Sequence, residues 1–248
     1  MQIEIMFGAK IFRIGLPLLV LATAAHASTI SFSTTAGAMN GNNEAVNASG
    51  TVTTNSNGTV TVTLTNNLAN LTDAGQLLTD LFFNLSAAPS SALNTTTTPT
   101  GNLINIAGNG TTSASADAVA SWGLSSSGAQ IHLDSLVGGP SQGIIGPSGA
   151  GGVYSNANGS IAGNGPHNPY LTGTVTFTFA VGGVTDATTI SAPVFSFGTA
   201  SGDNVSGCIV GGPSCTSTVV PEPVSLSLVG GGLLALGLLR KRLPRGRN

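Results

Sequence analysis

Between Ser28 and Val220 the chain has no lysine and no arginine. Its seven basic side chains are Lys10, Arg13, Arg240, Lys241, Arg242, Arg245 and Arg247, all at the two ends. A surface without such groups cannot release phosphate counterions or clamp a phosphate bidentately, which excludes specific nucleic-acid binding. Aromatic side chains that carry a polar atom are scarce, with one Trp and two Tyr. Cysteine occurs twice, too rarely for a disulfide scaffold and with no neighbouring histidine to complete a metal site.

What charge the middle of the chain has is acidic. Glu44, Asp73, Asp80, Asp117, Asp134, Asp186 and Asp203 give the span Ser28–Val220 a formal charge of −7. Such a body is weakly repelled by anionic polysaccharide unless divalent cations bridge the two. The rest is Thr, Ser, Asn, Gly, Ala and Val, enough for one domain of moderate size.

Two segments alternate with a period of two. "TVTVTLT" from Thr59 puts Val60, Val62 and Leu64 on one face, and "TVTFTFAV" from Thr174 does the same with Val175, Phe177, Phe179 and Val181. Threonine on the opposite faces is β-branched and favours extended backbone while remaining hydrated. Further strands are expected at 29–35, 49–54, 80–86, 118–124, 129–133 and 193–199, separated by Asn, Gly and Ser turns. Only "DAGQLLTDL" near Asp73 suggests a short helical turn. The expected fold is all-β, an antiparallel β-sandwich or jelly-roll-like body over 28–220. The span 138–169, rich in Gly and Pro without a clear period, reads as a long loop. Cys208 and Cys215 in "CIVGGPSC" are expected to close a small disulfide loop.

Signals for chemistry are sparse. "GPSQG" at 139–143 matches the GxSxG nucleophile pattern around Ser141, with His132, His167 and Asp134 as partners on paper, but lacks the flanking strand and helix. His132 in "QIHLD" reads as a surface-facing strand histidine, and His167 in "GPHNPY" as a turn residue. Ca²⁺ takes about six to eight oxygen ligands, whereas the acidic residues here occur singly, which leaves only a site assembled across strands. No catalytic residue, metal ligand or cofactor is therefore assigned. Trp122, Tyr154 and Tyr170 are either a carbohydrate-stacking surface or core anchors, with Trp122 between apolar neighbours favouring the core. N-x-S/T triplets recur at Asn47, Asn57, Asn70, Asn84, Asn94, Asn109, Asn158 and Asn204, largely a product of composition, and "NTTTTPT" at 94–100 is either an acceptor for O-linked sugar or an unmodified loop.

The first residues form a three-part secretory pattern: Lys10 and Arg13, the apolar run "IGLPLLVLATAA", and small residues at Ala25 and Ala27. The run is much shorter than the ~20 residues that span a bilayer, so 1–27 is expected to be a signal peptide, cut by signal peptidase between Ala27 and Ser28.

The tail has its own order. Pro221, Glu222 and Pro223 hold the chain extended, 224–239 "VSLSLVGGGLLALGLL" would make a helix about 24 Å long, and Arg240, Lys241 and Arg242 begin a basic end over 240–248. A basic cluster after an apolar helix stays on the cytoplasmic side, leaving the body outside. This ordered triad over 221–248 resembles the PEP-CTERM sorting signal of Gram-negative bacteria. The resemblance implies Pro221–Pro223 as recognition motif, 224–239 as a single transmembrane helix and Arg240–Arg242 as the basic stop. It also implies processing by an exosortase, with release or transfer of the body from the inner membrane to the cell surface or extracellular polymer.

The sequence therefore leads to an exported, non-enzymatic structural protein of the surface or extracellular matrix, in contact with the membrane only transiently and with polysaccharide as its partner. The alternatives are a surface carbohydrate-binding or Ca²⁺-dependent adhesion module and, further off, a secreted serine hydrolase.

Overall fold

A computed structural model describes residues 27–137, 141–157, 160–212 and 215. The signal segment up to residue 26, the sorting motif Pro221–Pro223, the apolar run 224–239 and the basic Arg240–Arg242 lie outside the described residues. Among those described, no helix is long and apolar enough to cross a membrane.

Thirteen strands follow in chain order: β1 (Ala27–Thr34), β2 (Ala48–Asn55), β3 (Thr59–Asn66), β4 (Leu78–Leu85), β5 (Thr96–Thr97), β6 (Thr100–Ile106), β7 (Thr112–Ala114), β8 (Trp122–Ser127), β9 (Gln130–Asp134), β10 (Ile144–Ile145), β11 (Tyr170–Ala180), β12 (Ile190–Phe197) and β13 (Asn204–Ile209). The all-β class holds, and the helical turn near Asp73 is a single 3-10 turn, Ala74–Gln76, capped by the Asp73 side chain. Alternation drives the long strands. In β3 every second residue is buried, Val60, Val62 and Leu64 inward and the threonines outward.

The arrangement differs from two stacked sheets. Hydrogen bonding runs without a break through β4-β12-β13-β1-β2-β3-β11, and β10 joins β11 back to β4, closing an eight-strand barrel. Eight strands leave an interior that side chains just fill. The filling here is Phe32, Val52, Val62, Leu81, Phe83, Phe177, Phe195 and Phe197, all buried. Strands β9, β8 and β5 extend from the other edge of β4, and β6 and β7 from that of β11. The inward side chains of β8 and β9, among them Trp122, Leu124, Ile131 and Leu133, join the same core.

Closure depends on the span expected to be a loop. Ile144 pairs with Leu171 in parallel and with Leu78 antiparallel, and both isoleucines of β10 are buried. Strand β11 pairs first with β10 and then with β3. Its ladder to β6 shifts register between Thr172 and Thr176, where Gly173 has φ +72°. A bulge of this kind bends a strand, and glycine takes the left-handed conformation without steric cost.

The same span contributes Ile145, Tyr154 and Ile161 to a second core, with Leu71, Leu77, Ile106 and Tyr170. Asn66, at the end of β3, donates through Nδ2 to the carbonyls of Gln76 and Ile144 and so ties the 3-10 turn to β10. The described part of 138–169 is mostly irregular, as expected of a loop, but β10 within it was not foreseen, because an anchor two residues long leaves no periodic trace. Strands β6, β7 and β13 also escaped the sequence reading, and so did β5, which lies within the threonine run 94–100 and buries Thr97.

Candidate functional site

Register brings together groups that are far apart in sequence. Asp80 on β4 lies opposite Asp134 on β9, and Phe82 opposite His132, all on the outward face of that strand pair. His132 Nε2 is 2.5 Å from Asp80 Oδ1, and its ring stacks on Phe82 with centroids 3.8 Å apart and planes 9° apart. Asp134 Oδ1 accepts the Leu136 backbone N–H at 2.6 Å. One ligand atom from each of Asp80, His132 and Asp134 lies within 4.8 Å of the others.

Although outward, the carboxylates are shielded, with Asp80 2% and Asp134 7% exposed, while the His132 side chain is 23% exposed. Val137 Cβ lies 2.8 Å from where a Cβ on Gly123 would stand. Gly123 is the β8 partner of Asp134. Burial raises the Asp80 pKa to about 6. The hydrogen bond and charge of His132 partly offset that rise, and the adjoining Asp134 adds to it.

The sequence placed His132 on the surface of a strand; its face is the expected one, but its side chain is engaged by Asp80 and Phe82. The pairing of Asp80 with His132 had no signal in the sequence, since 52 residues separate them. The i,i+2 spacing of His132 and Asp134 was visible, but which residue stands opposite is set by strand register.

The nucleophile pattern is not assembled. The Ser141 Oγ is buried and has no hydrogen-bond partner, and His167 Nδ1 donates instead to the Ser141 carbonyl oxygen at 2.6 Å. His132 is occupied with Asp80. Ser141, His132 and His167 therefore form no nucleophile–base pair among the described residues.

His167 is 1% exposed, and burial holds its pKa below the ordinary value against the opposing effect of the Ser141 carbonyl. An unfolded histidine gains its proton below a pH of about 6.5, whereas the buried one resists it. The stability that neutral His167 confers is thus present in full above about 6.5 and lost as pH falls through its lowered folded pKa. Urea titrations at about pH 7.5 and pH 5 should show the wild type losing more stability on acidification than His167→Gln. Equal losses would contradict this, since His167 is the only group that differs between the two proteins.

The aromatic residues considered for carbohydrate stacking are core residues. Trp122 is fully buried, packs on Phe177 with centroids 4.9 Å apart and donates through Nε1 to the Gln142 carbonyl at 3.1 Å. The Tyr154 and Tyr170 hydroxyls donate to the Gly146 and Ile161 carbonyls, each at 2.6 Å, and burial pushes the Tyr154 pKa up to about 12 and that of Tyr170 further. Of the sequon asparagines, Asn158 lies outside the described residues, and Asn47, Asn57, Asn94, Asn109 and Asn204 are exposed. Asn84 and Asn70 are half-buried, Asn84 within β4 and Asn70 bonded to Ser155.

The expected disulfide is present, Cys208–Cys215, with Cα atoms 5.2 Å apart. Of the expected signal cleavage residues, Ala25 lies outside the described residues, while Ala27 and Ser28 open β1 and pair with Asn55 and Thr54.

On the opposite side of the barrel, register lines hydroxyls into rows across β1, β2, β3 and β11. One row is Thr29, Thr53, Thr61 and Thr178; the next is Ser31, Thr51, Thr63 and Thr176. Thr51 and Thr63 share a hydrogen bond of 2.7 Å, and Thr29 and Thr53 one of 2.8 Å. No family model, curated protein or solved structure matches the chain.

Proposed function

We propose that the chain is an exported, non-enzymatic structural protein of the cell surface or extracellular polymer matrix of a Gram-negative bacterium, sorted by an exosortase through its C-terminal signal. The observation that carries this reading is the ordered tail Pro221–Pro223, 224–239 and Arg240–Arg242 behind a body without a basic residue. The placement of the described strands relative to the two expected cuts is compatible with it. Of the described strand residues only Ala27 precedes the expected signal-peptidase cut, and Cys215, bonded to Cys208, stands ahead of Pro221. Apart from Ala27, every described strand residue lies between Ser28 and Pro221, so both processing events would spare the barrel.

The hydroxyl rows support contact with a neutral polysaccharide in place of an ionic partner. A face of Ser and Thr side chains on adjacent strands, about 4.8 Å apart, offers donors and acceptors at a regular interval without charge. The burial of Trp122, Tyr154 and Tyr170 removes the stacking platform that an aromatic carbohydrate module would need.

The test is mass spectrometry of the protein from membrane and extracellular fractions, in cells with and without their exosortase. The expected extracellular form begins at Ser28 and ends near Pro221–Pro223, and it is lost when the exosortase is removed. An extracellular form ending at Asn248 would refute the sorting reading.

A further inference from the structure

The acidic pair on β4 and β9 poses an electrostatic problem within the body. Asp80 and Asp134 face each other across neighbouring strands, both more than nine-tenths buried. Like charges directly opposite on a sheet are destabilising, and burying them away from water adds to that cost. Proteins ordinarily relieve such a pair with Arg or Lys, and between Ser28 and Val220 there is neither. His132 and the Leu81 backbone N–H engage the Asp80 carboxyl, and the Leu136 N–H engages one oxygen of Asp134. Two carboxylates offer more acceptor capacity than these contacts use.

We propose that Asp80, His132 and Asp134 form a binding site for a divalent transition-metal ion of the zinc class, held between β4 and β9. The donor set selects the metal. One imidazole nitrogen and two carboxylate oxygens suit Zn²⁺, which takes such ligands at about 2.0–2.2 Å and accepts a fourth from water. Three protein donors are too few for Ca²⁺, which takes about six to eight oxygens. With the ligand atoms already within 4.8 Å of one another, closing around an ion needs only small side-chain shifts. In the bound state His132 Nε2 exchanges its contact with Asp80 for the metal, and the two carboxylates turn one oxygen each to the same ion. Phe82, stacked on the imidazole, holds the ring plane, while the 23% exposure of His132 leaves a way in from solvent. The ion supplies the positive charge that the body's composition lacks and ties the outer strand β9 to the barrel.

The experiment is calorimetric titration of the metal-stripped full chain with Zn²⁺, repeated on His132→Gln, Asp134→Asn and, as a control in a different acidic patch, Asp203→Asn. The wild type and Asp203→Asn should each bind one ion, while His132→Gln and Asp134→Asn should bind it about tenfold more weakly or worse. Zn²⁺ should also raise the thermal midpoint of the wild type in proportion to the logarithm of its concentration. A wild type that takes up no Zn²⁺ would overturn the proposal, and so would equal affinity in all four proteins. If the two ligand variants fail to fold, the wild type alone decides the matter by NMR. The His132 ring resonances must move on adding Zn²⁺ while those of His167 stay in place, and an unmoved His132 refutes the site.

Discussion

Replacing Trp122 with alanine should lower stability by about 3–5 kcal/mol, the range for removing a fully buried large aromatic side chain. The ring is fully buried between β8 and the barrel wall, against Phe177 on β11. Its removal leaves a cavity and strips the Gln142 carbonyl of its indole donor. Trp122→Phe separates these effects. It keeps a ring near Phe177 and loses the N–H, with an expected cost of about 1–3 kcal/mol from the orphaned carbonyl and the smaller ring. Denaturant unfolding followed by circular dichroism measures both, because Trp122 is the only tryptophan and its fluorescence goes with it. A Trp122→Ala protein as stable as the wild type, but defective in holding a polysaccharide, would restore the surface role that the structure denies this residue.

The second large effect is expected at the closure of the barrel. Ile144→Asp should remove at least about 4 kcal/mol and leave little folded protein, since such values arise when an unpaired charge enters a core. Ile144 is fully buried, with Leu171 on one side and Leu78 on the other, and there is no Lys or Arg in the body to pair with the new carboxylate. The backbone cannot yield easily either, because at Gly146 a Cβ would stand 1.9 Å from the Leu68 carbonyl oxygen. Ile144→Val keeps the shape and should cost only about 1 kcal/mol. Soluble expression and denaturant midpoints of the two variants check this. Were Ile144→Asp to fold with near-native stability, β10 would not be needed to hold β4 and β11 together.

Much of the barrel could be read from alternation. In β3 and β11, Val, Leu and Phe alternate with Thr, and a half-buried strand is the structure that separates those two sets. Trp122 was also legible as a core residue, between apolar neighbours in a stretch with no other large ring. The disulfide followed from two cysteines in one short segment. Less visible were the elements with few residues to repeat a pattern: β5, β7 and β10 have two or three residues each. A period cannot be seen in so short a run, and these strands exist because the rest of the fold holds a partner edge open for them.

The Asp80–His132–Asp134 cluster has the same history. Each residue was visible as a single polar position, and the i,i+2 pair on β9 was plain, but a shift of one residue between β4 and β9 would have turned Asp80 to the other face. The sequence by itself determined the all-β class, the hydroxyl-rich, acidic composition of the body, the absence of a basic partner for its acids and the order of apolar and basic segments at the two ends, because composition and period are local properties. Only the tertiary structure decided that the strands close into a barrel through Ile144, that Tyr154 and Tyr170 are sealed inside with Trp122, as the sequence favours for Trp122 alone, and that two aspartates and a histidine share one space. Those outcomes depend on strand register and on contacts between residues tens of positions apart, which no local pattern encodes.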